Sequence, residues 1–288
     1  MSETNQHPPA VLITGASTGI GLACALELDR RKFRVFAGVR TETAADRLRK
    51  NASPLLTPVM IDVTDSALIS AAAAKIKEQI GNFGLAGLVN SAGIGVSGPL
   101  ELVPIEELRR QFEVNVIGQV AVIQAFLPLL RMSKGRIVNI GSINGAMTPP
   151  YLGPYSASKF ALEAITDALR IELRTWGIKV SIVEPRATAT PIWEKSFADA
   201  DRLANTVPSQ AMALYETDLA AVRKNMSKIA NQAEPVDVVV RAVVHALTAP
   251  NPKTRYFLHY GNRLHFRGFK LIPDVIRDWI IRRVMRLP

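Results

Sequence analysis

Short apolar segments alternate with longer helical segments along most of this 288-residue chain, and this alternation constrains the fold more than any other feature. The strand candidates are short and rich in branched residues, as buried strands are. They cover residues 10–14, 34–38, 56–61, 85–90, 136–140, 179–185 and 255–259. Helical apolar spacing runs over residues 20–31, 66–80, 104–131, 157–173 and 236–247. Strands separated by helices form parallel sheets covered on both faces, so the pattern predicts an α/β protein with a doubly wound parallel sheet.

One domain accounts for the whole sequence. Hydrophobic residues make up 48% of the chain, which is enough for a sizeable core and excludes extended disorder. There is no internal repeat and no linker. We therefore interpret residues 1–288 as a single dinucleotide-binding catalytic domain, with a polar N-terminal arm at 1–9, a substrate lid at 191–232 and a basic amphipathic tail at 262–288.

Cys24 is the only cysteine, which excludes an intrachain disulfide and a cysteine-cluster zinc site. Its apolar helical surroundings favour packing over reactivity. We expect no metal site. The polar first ten residues lack a signal-peptide core, and no uninterrupted apolar run is long enough to span a bilayer. These features predict a cytoplasmic protein in a reducing compartment.

The net charge of +10 is concentrated near the C-terminus. From Lys253 onward there are nine Lys and Arg residues and two Asp residues, so this segment carries +7 of the total. A basic segment outside the core argues against nucleic acid as a partner and favours a local surface role.

A glycine turn follows the first strand. The sequence TGASTGIG at 14–21 leads directly into the helix that begins near Ile20. A strand, a glycine turn and a helix N-terminus form a site for a pyrophosphate, because glycine lets the backbone approach the phosphates. Glycine turns also serve plain packing, but the position of this one predicts dinucleotide binding.

The residues at the end of the second strand indicate which dinucleotide the protein binds. Sites for NAD place an acid there to bind the ribose 2′-hydroxyl. No acid occurs between Arg34 and Thr41, whereas Arg40 offers a guanidinium group suited to a 2′-phosphate. The alternative is a solvated surface arginine. We predict NADP(H) in preference to NAD(H).

Polar and small residues follow three other strands. Asp62 could accept a hydrogen bond from an adenine amino group, or cap the helix that begins near Ser66. The small residues of the segment 90–93, NSAG, leave room for a flat ligand. The hydroxyls of Thr188 and Thr190 could meet a nicotinamide amide or a phosphate.

The segment 136–160 carries the candidate chemistry. Ser142 follows the strand RIVNI, at the sheet edge where open α/β proteins bind ligands. Tyr155 and Lys159 are four residues apart, so on a helix they are neighbours on one face, and Pro154 suits the start of that helix. A lysine ammonium favours a phenolate, and a tuned tyrosine can exchange a proton with an alcohol or carbonyl oxygen held by a serine. Alternatively, Tyr155 and Lys159 are ordinary helix residues without a catalytic role, since a spacing of four residues between them is common.

Asn115 lies among apolar residues in the long helical region and needs a hydrogen-bond partner if it is buried. It is either a structural amide bonded to a neighbouring strand or part of a proton path that holds water near Lys159. These two roles are compatible.

Together, TGASTGIG at 14–21, NSAG at 90–93, Asn115, Ser142 and YSASK at 155–159 resemble the short-chain dehydrogenase/reductase family over roughly residues 10–260. FAGVR, SASKFALEA and GIKVSIVEP are similar to its retinol and 17β-hydroxysteroid dehydrogenase group. The resemblance implies a Rossmann-type domain with a seven-stranded parallel sheet and hydride transfer between NAD(P)H and a carbonyl or alcohol. It implies that Tyr155 is the acid/base, Ser142 binds the substrate oxygen, Lys159 lowers the Tyr155 pKa and holds ribose, and Asn115 supports a proton relay. The cofactor residues that we infer are Gly15, Ser17, Thr18, Ile20, Gly21, Arg40, Asp62, Val63, Asn90, Ala92, Gly93, Tyr155, Lys159, Pro185, Thr188 and Thr190.

Two positions depart from the family pattern. Ser91 replaces the second asparagine of NNAG, which is a mild change. Arg186 replaces the glycine of Pro-Gly, where glycine allows close approach to the nicotinamide. Arg186 must point away from the site or enter it, and if it enters, it favours an anionic substrate or hinders activity.

The tail has helical spacing over residues 272–287, with Trp279 on the apolar stripe and arginines beside it. A basic amphipathic helix with a tryptophan suits a membrane interface. The alternative is a helix docked on the domain or on a second subunit. Family members are commonly dimers or tetramers, so a homo-oligomer is expected by analogy.

Two functions follow from these features. The first is an NADP(H)-dependent oxidoreductase that interconverts a hydrophobic primary or secondary alcohol and its aldehyde or ketone, which could be steroid-like, retinol-like or another lipid. The second is a non-catalytic NADP(H)-binding sensor or scaffold, associated with a membrane surface through the tail. Arg186 is the feature that favours the second.

Overall fold

A seven-stranded parallel sheet forms the centre of the protein, in the order β3-β2-β1-β4-β5-β6-β7. The computed structural model describes residues 7–258, 272–285 and 287. The strands are β1 (Ala10–Ile13), β2 (Arg34–Val39), β3 (Leu56–Met60), β4 (Gly87–Asn90), β5 (Arg136–Ile140), β6 (Lys179–Pro185) and β7 (Arg255–Leu258). This confirms the predicted doubly wound sheet. The strand order reverses between β1 and β4, and open α/β sheets bind ligands at such a point.

Eleven α-helices are described in these parts of the chain. They are α1 (Gly19–Arg30), α2 (Glu42–Asn51), α3 (Ser66–Ile80), α4 (Ile105–Phe112), α5 (Gly118–Ser133), α6 (Gly153–Glu172), α7 (Ile192–Ala204), α8 (Ser209–Ala213), α9 (Glu216–Asn231), α10 (Asp237–Thr248) and α11 (Asp274–Met285).

The sheet is buried on both faces because its side chains alternate between two apolar layers. Val11 and Ile13 point into a cluster formed with α1, α2 and α10. Leu12 points into a second cluster formed with α3 and α5. All three side chains are fully buried, which explains why the strands are continuously apolar in sequence.

The region between residues 105 and 133 is one continuous helix with a π-helical turn at Glu113–Ile117. By length and composition alone, this helix could cross a membrane, which differs from our expectation that no segment could. Its Val122, Phe126 and Leu130 are fully buried in the cluster with α3. Core packing therefore accounts for its apolar character.

Helix α2 was not predicted from the sequence. Only three of its residues are buried, namely Ala44, Ala45 and Leu48, so its apolar stripe is weak. The Thr41 side chain caps it by accepting a hydrogen bond from the Ala44 N–H (3.3 Å). Capping therefore fixes the start of a helix that its apolar spacing alone did not reveal.

The predicted lid region, 191–232, contains helices α7, α8 and α9 beyond the carboxyl ends of the strands. The predicted tail helix is present as α11, which packs against α9, and the Asn225 side chain donates a hydrogen bond to the Met285 carbonyl. His259 of the predicted last strand, and residues 262–271 of the tail, lie outside the described residues.

Candidate active site

A cavity of about 580 Å³ lies at the carboxyl ends of the strands. Fifteen of the predicted site residues line it: Gly15, Ser17, Thr18, Ile20, Arg40, Asp62, Val63, Ala92, Gly93, Ser142, Tyr155, Lys159, Pro185, Thr188 and Thr190. Gly21, Asn90 and Asn115 are predicted site residues that do not line it. The fold thus brings segments that are far apart in sequence to one sheet edge.

The glycine turn is tightly packed between β1 and α1. Gly15 has φ +66°, and a Cβ there would lie 2.8 Å from the Ala92 Cα atom. A Cβ at Gly21 would lie 2.4 Å from the Gly15 carbonyl oxygen. Gly21 therefore lets α1 pack against the turn, whereas Gly15 faces the cavity. Any larger side chain would displace the turn.

The N-terminus of α1 opens toward the cavity. Thr18 is the N-cap residue, but its side chain accepts no hydrogen bond from the first turn of the helix. The first N–H groups of a helix have no partner within the helix, and the helix dipole favours negative charge there. These features fit an anionic group such as a cofactor diphosphate.

Asp62 and Arg40 both line the cavity. The Oδ1 atom of Asp62 accepts hydrogen bonds from the Thr64 N–H (3.0 Å) and hydroxyl (2.8 Å), and its Oδ2 lies 3.8 Å from Arg40 Nη1. Partial burial alone would raise the pKa of Asp62, but the Thr64 hydrogen bonds and the Arg40 charge lower it overall.

The suggestion that Asp62 caps the following helix was wrong. Asp65 caps α3 by accepting from the Ala67 and Leu68 N–H groups at 2.9 and 3.0 Å. Asp65 directly precedes α3, whereas Asp62 shapes the turn before it.

Asn90 is fully buried beneath the cavity floor. It donates from Nδ2 to Asn139 Oδ1 (3.1 Å), and Asn139 donates to the Thr166 hydroxyl (2.9 Å). This chain of hydrogen bonds joins β4, β5 and α6. In the structure, Asn90 therefore supports the sheet edge and does not line the cavity.

Tyr155 and Lys159 lie on one face of α6, as their spacing predicts, and both reach the cavity. Ser142 follows β5, and its side chain is near enough to the Tyr155 hydroxyl to influence the pKa of that group. The Ser142 oxygen also accepts from the Asn144 N–H (3.1 Å), which fixes its position. The three side chains therefore form one cluster at the end of the sheet.

The pKa of Tyr155 differs from the expectation drawn from the sequence. Burial raises the pKa of Tyr155, and the neighbouring Ser142 side chain opposes this only in part. Lys159 does not lower it here, because the ammonium donates to the Ile140 carbonyl (2.8 Å) and lies 5.8 Å from the Tyr155 ring centre. Burial also lowers the pKa of Lys159 itself to about 8, against the opposing effect of Glu163.

Asn115 lies in the π-helical turn and is fully buried. Its Oδ1 accepts from the Ile94 N–H (2.9 Å), and its Nδ2 donates to the Ile94 carbonyl (3.0 Å) and the Ser158 hydroxyl (3.1 Å). Ser158 in turn donates to the Tyr155 carbonyl (2.7 Å). The structural interpretation of the amide therefore fits, and Asn115 holds the loop after β4 against the first turn of α6.

Arg186 lines the cavity and is exposed. It follows Pro185 at the end of β6, so a cation stands beside the predicted cofactor residues.

Lys195 is a cavity residue that the sequence did not reveal. It lies on α7 and donates from Nζ to the Thr18 hydroxyl (3.4 Å), at the N-terminus of α1. No sequence signal identifies it, because its position depends on how the lid region folds back over the sheet.

An apolar roof covers the cavity, and sequence reasoning did not identify its residues individually. It consists of side chains from three helices, namely Trp193 and Phe197 of α7, Met226 and Ile229 of α9, and Ile280, Ile281, Val284 and Met285 of α11. Trp193 is fixed by a hydrogen bond from its indole to the Thr188 carbonyl (3.0 Å). Apolar walls with a few convergent polar groups are typical of small-molecule sites.

Two other predicted features can be placed. Cys24 is fully buried, and burial raises the pKa of its thiol to about 12, so its role is packing. Within residues 7–258 and 272–285, no group of three or more His, Cys, Asp or Glu side chains could hold a metal ion.

Comparison with known proteins identifies the family. Residues 9–201 match the family model described as short chain dehydrogenase. The 17-beta-hydroxysteroid dehydrogenase type 6 of Bos taurus is 37% identical, over 95% of this chain and 87% of that protein. Retinol dehydrogenase 16 of Mus musculus is 35% identical, over 94% and 87% respectively. The NADPH-dependent 3-dehydrocapnine reductase of Ornithobacterium rhinotracheale is also 35% identical, over 96% of both chains.

Solved structures show the same fold. A short-chain dehydrogenase from Streptomyces avermitilis superposes with a TM-score of 0.74 at 28% identity, covering 96% of both chains. A short chain dehydrogenase from Burkholderia cenocepacia J2315, solved in complex with NADP, gives 0.70 at 25% identity, covering 98% of this chain and 99% of the other. The chain therefore belongs to the short-chain dehydrogenase/reductase family of oxidoreductases, in the group of the retinol and 17β-hydroxysteroid dehydrogenases.

Proposed function

We propose that this protein is an NADP(H)-dependent oxidoreductase that interconverts a hydrophobic alcohol and its ketone or aldehyde. The observation that carries the proposal is that Tyr155 and Ser142 line the same cavity as the glycine turn. A proton donor and a dinucleotide site in one cavity are what hydride transfer to a carbonyl requires.

The residues present fit a dinucleotide. At Gly15, where the backbone meets the cavity, the neighbouring segment leaves no room for a side chain. The uncapped N-terminus of α1 supplies free N–H groups. Arg40 at the end of β2 would bind a 2′-phosphate, and Lys159 would hold the ribose. The named NADPH dependence of one relative and the NADP complex of one structural neighbour support the choice of NADP(H).

The chain's own residues would perform the proton chemistry. When bound, the nicotinamide supplies or takes the hydride at the reacting carbon. In the reducing direction, the Tyr155 hydroxyl gives its proton to the carbonyl oxygen, and the Ser142 hydroxyl holds that oxygen. The Lys159 ammonium, one helical turn away and anchored on the Ile140 carbonyl, would hold the ribose and so position the nicotinamide beside Tyr155. In the oxidising direction, the phenolate removes the proton from the alcohol.

The substrate would be hydrophobic, because the roof above the cavity is apolar. The names of the related retinol and 17β-hydroxysteroid dehydrogenases support this class. Arg186 adds a cation that would favour an anionic group on the substrate.

Tyr155→Phe tests the catalytic proposal. NADPH oxidation would be followed with a panel of ketones, aldehydes and steroids. We expect kcat/KM to fall by roughly 10²–10⁴-fold, because a positioned acid contributes about that much, while NADPH binding is retained. Tyr215→Phe is a matched control, because the Tyr215 hydroxyl bonds Glu101 outside the cavity. Equal rates for Tyr155→Phe and the wild type would refute the assignment.

The position of Arg186 supports a second candidate, a protein that binds NADP(H) without turnover. If Arg186 blocks the substrate, Arg186→Gly would create activity in a protein that otherwise only binds NADPH. If the wild type turns over a member of the panel, this candidate is excluded.

We also propose a cytoplasmic homo-oligomer that contacts membranes peripherally through residues 270–288. In the structure, α11 has two sides. Ile280 and Ile281 line the cavity, whereas Val275 and Trp279 are exposed, at 81% and 61%. An exposed tryptophan with arginines nearby supports contact with a membrane surface.

A further inference from the structure

A second cavity, of about 740 Å³, lies under the lid helices. The loop 97–103 and helices α7, α8 and α9 enclose it. None of the residues predicted from the sequence to bind cofactor or to act in catalysis lines it. The two cavities meet at four residues that line both, which we call the neck: Ser97, Leu152, Phe197 and Met226.

The neck opens next to the proposed reaction centre. Leu152 precedes Tyr155 by three residues at the start of α6, so the two side chains are neighbours along the helix. On the opposite side, a Cβ at Gly95 would lie 3.8 Å from Tyr155 Cδ2 and 3.1 Å from the Ser196 hydroxyl. Leu152 is thus a wall of the second cavity that lies beside Tyr155.

The walls of the second cavity are mainly apolar. Val103 and Leu203 belong to a small cluster with Val96 that is separate from the two main cores of the domain. Leu102, Val222 and Met212 add further apolar surface. The lid and the loop thus form an apolar chamber that the sheet itself does not provide.

Charged groups lie at the outer side of this chamber. Arg223 pairs with Asp201, and its guanidinium lies 5.6 Å from the ring centre of Phe197 in the neck. Glu216 also lines the chamber and is exposed. A ligand that fills the chamber therefore has mainly apolar surroundings, with the Arg223–Asp201 pair on the exposed side and close to the neck.

Tyr151 holds the entrance in place. It has φ +64°, which is an unfavourable backbone conformation for a residue other than glycine. Its carbonyl accepts from the Gly98 N–H (2.8 Å), and its hydroxyl donates to Asp218 of α9 (2.6 Å). Burial and the Asp218 carboxylate raise the pKa of this hydroxyl to about 12, so it stays protonated and the link persists. Strained residues fixed in this way are typical of functional sites.

We infer that the second cavity receives the body of the substrate, and that the substrate is an elongated alkyl alcohol, ketone or aldehyde. Its reacting carbon lies near one end, at Tyr155, and its chain passes the neck and lies among the apolar side chains of the chamber, such as Leu203 and Val222. This inference rests on the proposed function and deepens it. A dinucleotide would occupy the sheet-edge part of the first cavity, so a long chain needs the additional space.

The test uses direct binding, so that it does not depend on turnover. A series of 2-alkanones of increasing length would be titrated calorimetrically into the complex of Tyr155→Phe with NADPH. Each additional buried methylene should tighten binding roughly fourfold until the chain fills the chamber. Ala204→Phe would fill part of the chamber, because Ala204 lines it but not the first cavity. Ala198→Phe is the matched control, since Ala198 is exposed on the same helix and lines neither cavity.

We expect Ala204→Phe to reduce the ratio of long-chain to short-chain affinity at least tenfold, and Ala198→Phe to leave that ratio unchanged. Val207→Phe is a second chamber variant in case Ala204→Phe does not fold. Affinity that does not rise with chain length, or a ratio unchanged in both chamber variants, would overturn the inference. Preference for compact ring ketones over long chains would do the same. If chains bind as expected but the wild type turns none over, the proposed function fails, and only the assignment of the chamber as the binding site of the chain stands.

Discussion

Replacing Asn115 by leucine should destabilise the protein and misplace the first turn of α6. The substitution keeps the number and branching of the side-chain heavy atoms but removes three hydrogen bonds from a fully buried site. The Ile94 N–H then has no acceptor. A buried donor without a partner costs about 1–3 kcal/mol.

The other two bonds matter less, because Gln111 shares their acceptors. Gln111 Nε2 donates to the Ile94 carbonyl (3.0 Å) and approaches the Ser158 hydroxyl (3.4 Å). Both acceptors therefore keep one donor after the substitution. Each lost bond contributes about 0.5–1.5 kcal/mol, so the total is about 2–6 kcal/mol.

Thermal unfolding monitored by circular dichroism would measure the effect. At about 2–4 °C per kcal/mol for a chain approaching this size, the apparent Tm should fall by roughly 4–24 °C. Gln119→Met is the matched control, because Gln119 is equally buried but donates only one hydrogen bond, to the Ala92 carbonyl (3.1 Å). It should lose less than half as much. In the double variant with Gln111→Leu, the loss should exceed the sum of the single losses, because the shared acceptors then lose both donors.

The result that would refute this reasoning is an Asn115→Leu protein that melts no lower than Gln119→Met. If such a protein also lost kcat, the role of Asn115 would be the proton path and not the structural amide.

Four further predictions follow from the same geometry. Arg40→Ala should weaken NADPH binding about 10–150-fold in a fluorescence titration while NADH binding changes little, since charged hydrogen bonds contribute about 1.5–3 kcal/mol; equal losses for both would contradict the role of Arg40. The kcat/KM for reduction should fall as pH rises through about 8, where Lys159 loses its proton, and a flat profile to pH 10 would argue against its role. Arg255→Met should lower the apparent Tm at pH 7 more than at pH 3. Arg255 lowers the pKa of Asp167, so its stabilising effect exists above the unfolded carboxyl pKa and is lost as pH falls. Full-length protein should float with anionic vesicles and protein lacking residues 270–288 should not, whereas flotation of both would exclude the tail as the contact.

Sequence patterns predicted the sheet and fifteen of the residues that line the cavity at its edge. Parallel strands that alternate with helices have few possible arrangements, and the segments after their carboxyl ends meet at one edge. Ser142, Tyr155 and the glycine turn could therefore be placed together before the structure was known. Local spacing was sufficient for them because each lies on or directly after a regular element.

The roof and the second cavity could not be predicted in this way. Lys195, Phe197 and Ile280 reach the site only because the lid and α11 fold back over the sheet, and no short-range pattern encodes that path. The role of Asp62 was ambiguous for a different reason. Two aspartates precede α3, and only geometry shows that Asp65 is the cap.

Helix α11 contributes to the cavity wall but not to the core that holds the sheet together. Neither of the two main apolar clusters includes any of its residues, yet Ile280 and Ile281 form part of the cavity wall. Changes in α11 can therefore alter which molecules are accepted without weakening the sheet. A mutational library confined to residues 274–285 should contain a high proportion of folded variants, and it is a natural starting point for redirecting specificity. During evolution, the same segment would be free to diverge faster than the scaffold that carries the reacting groups.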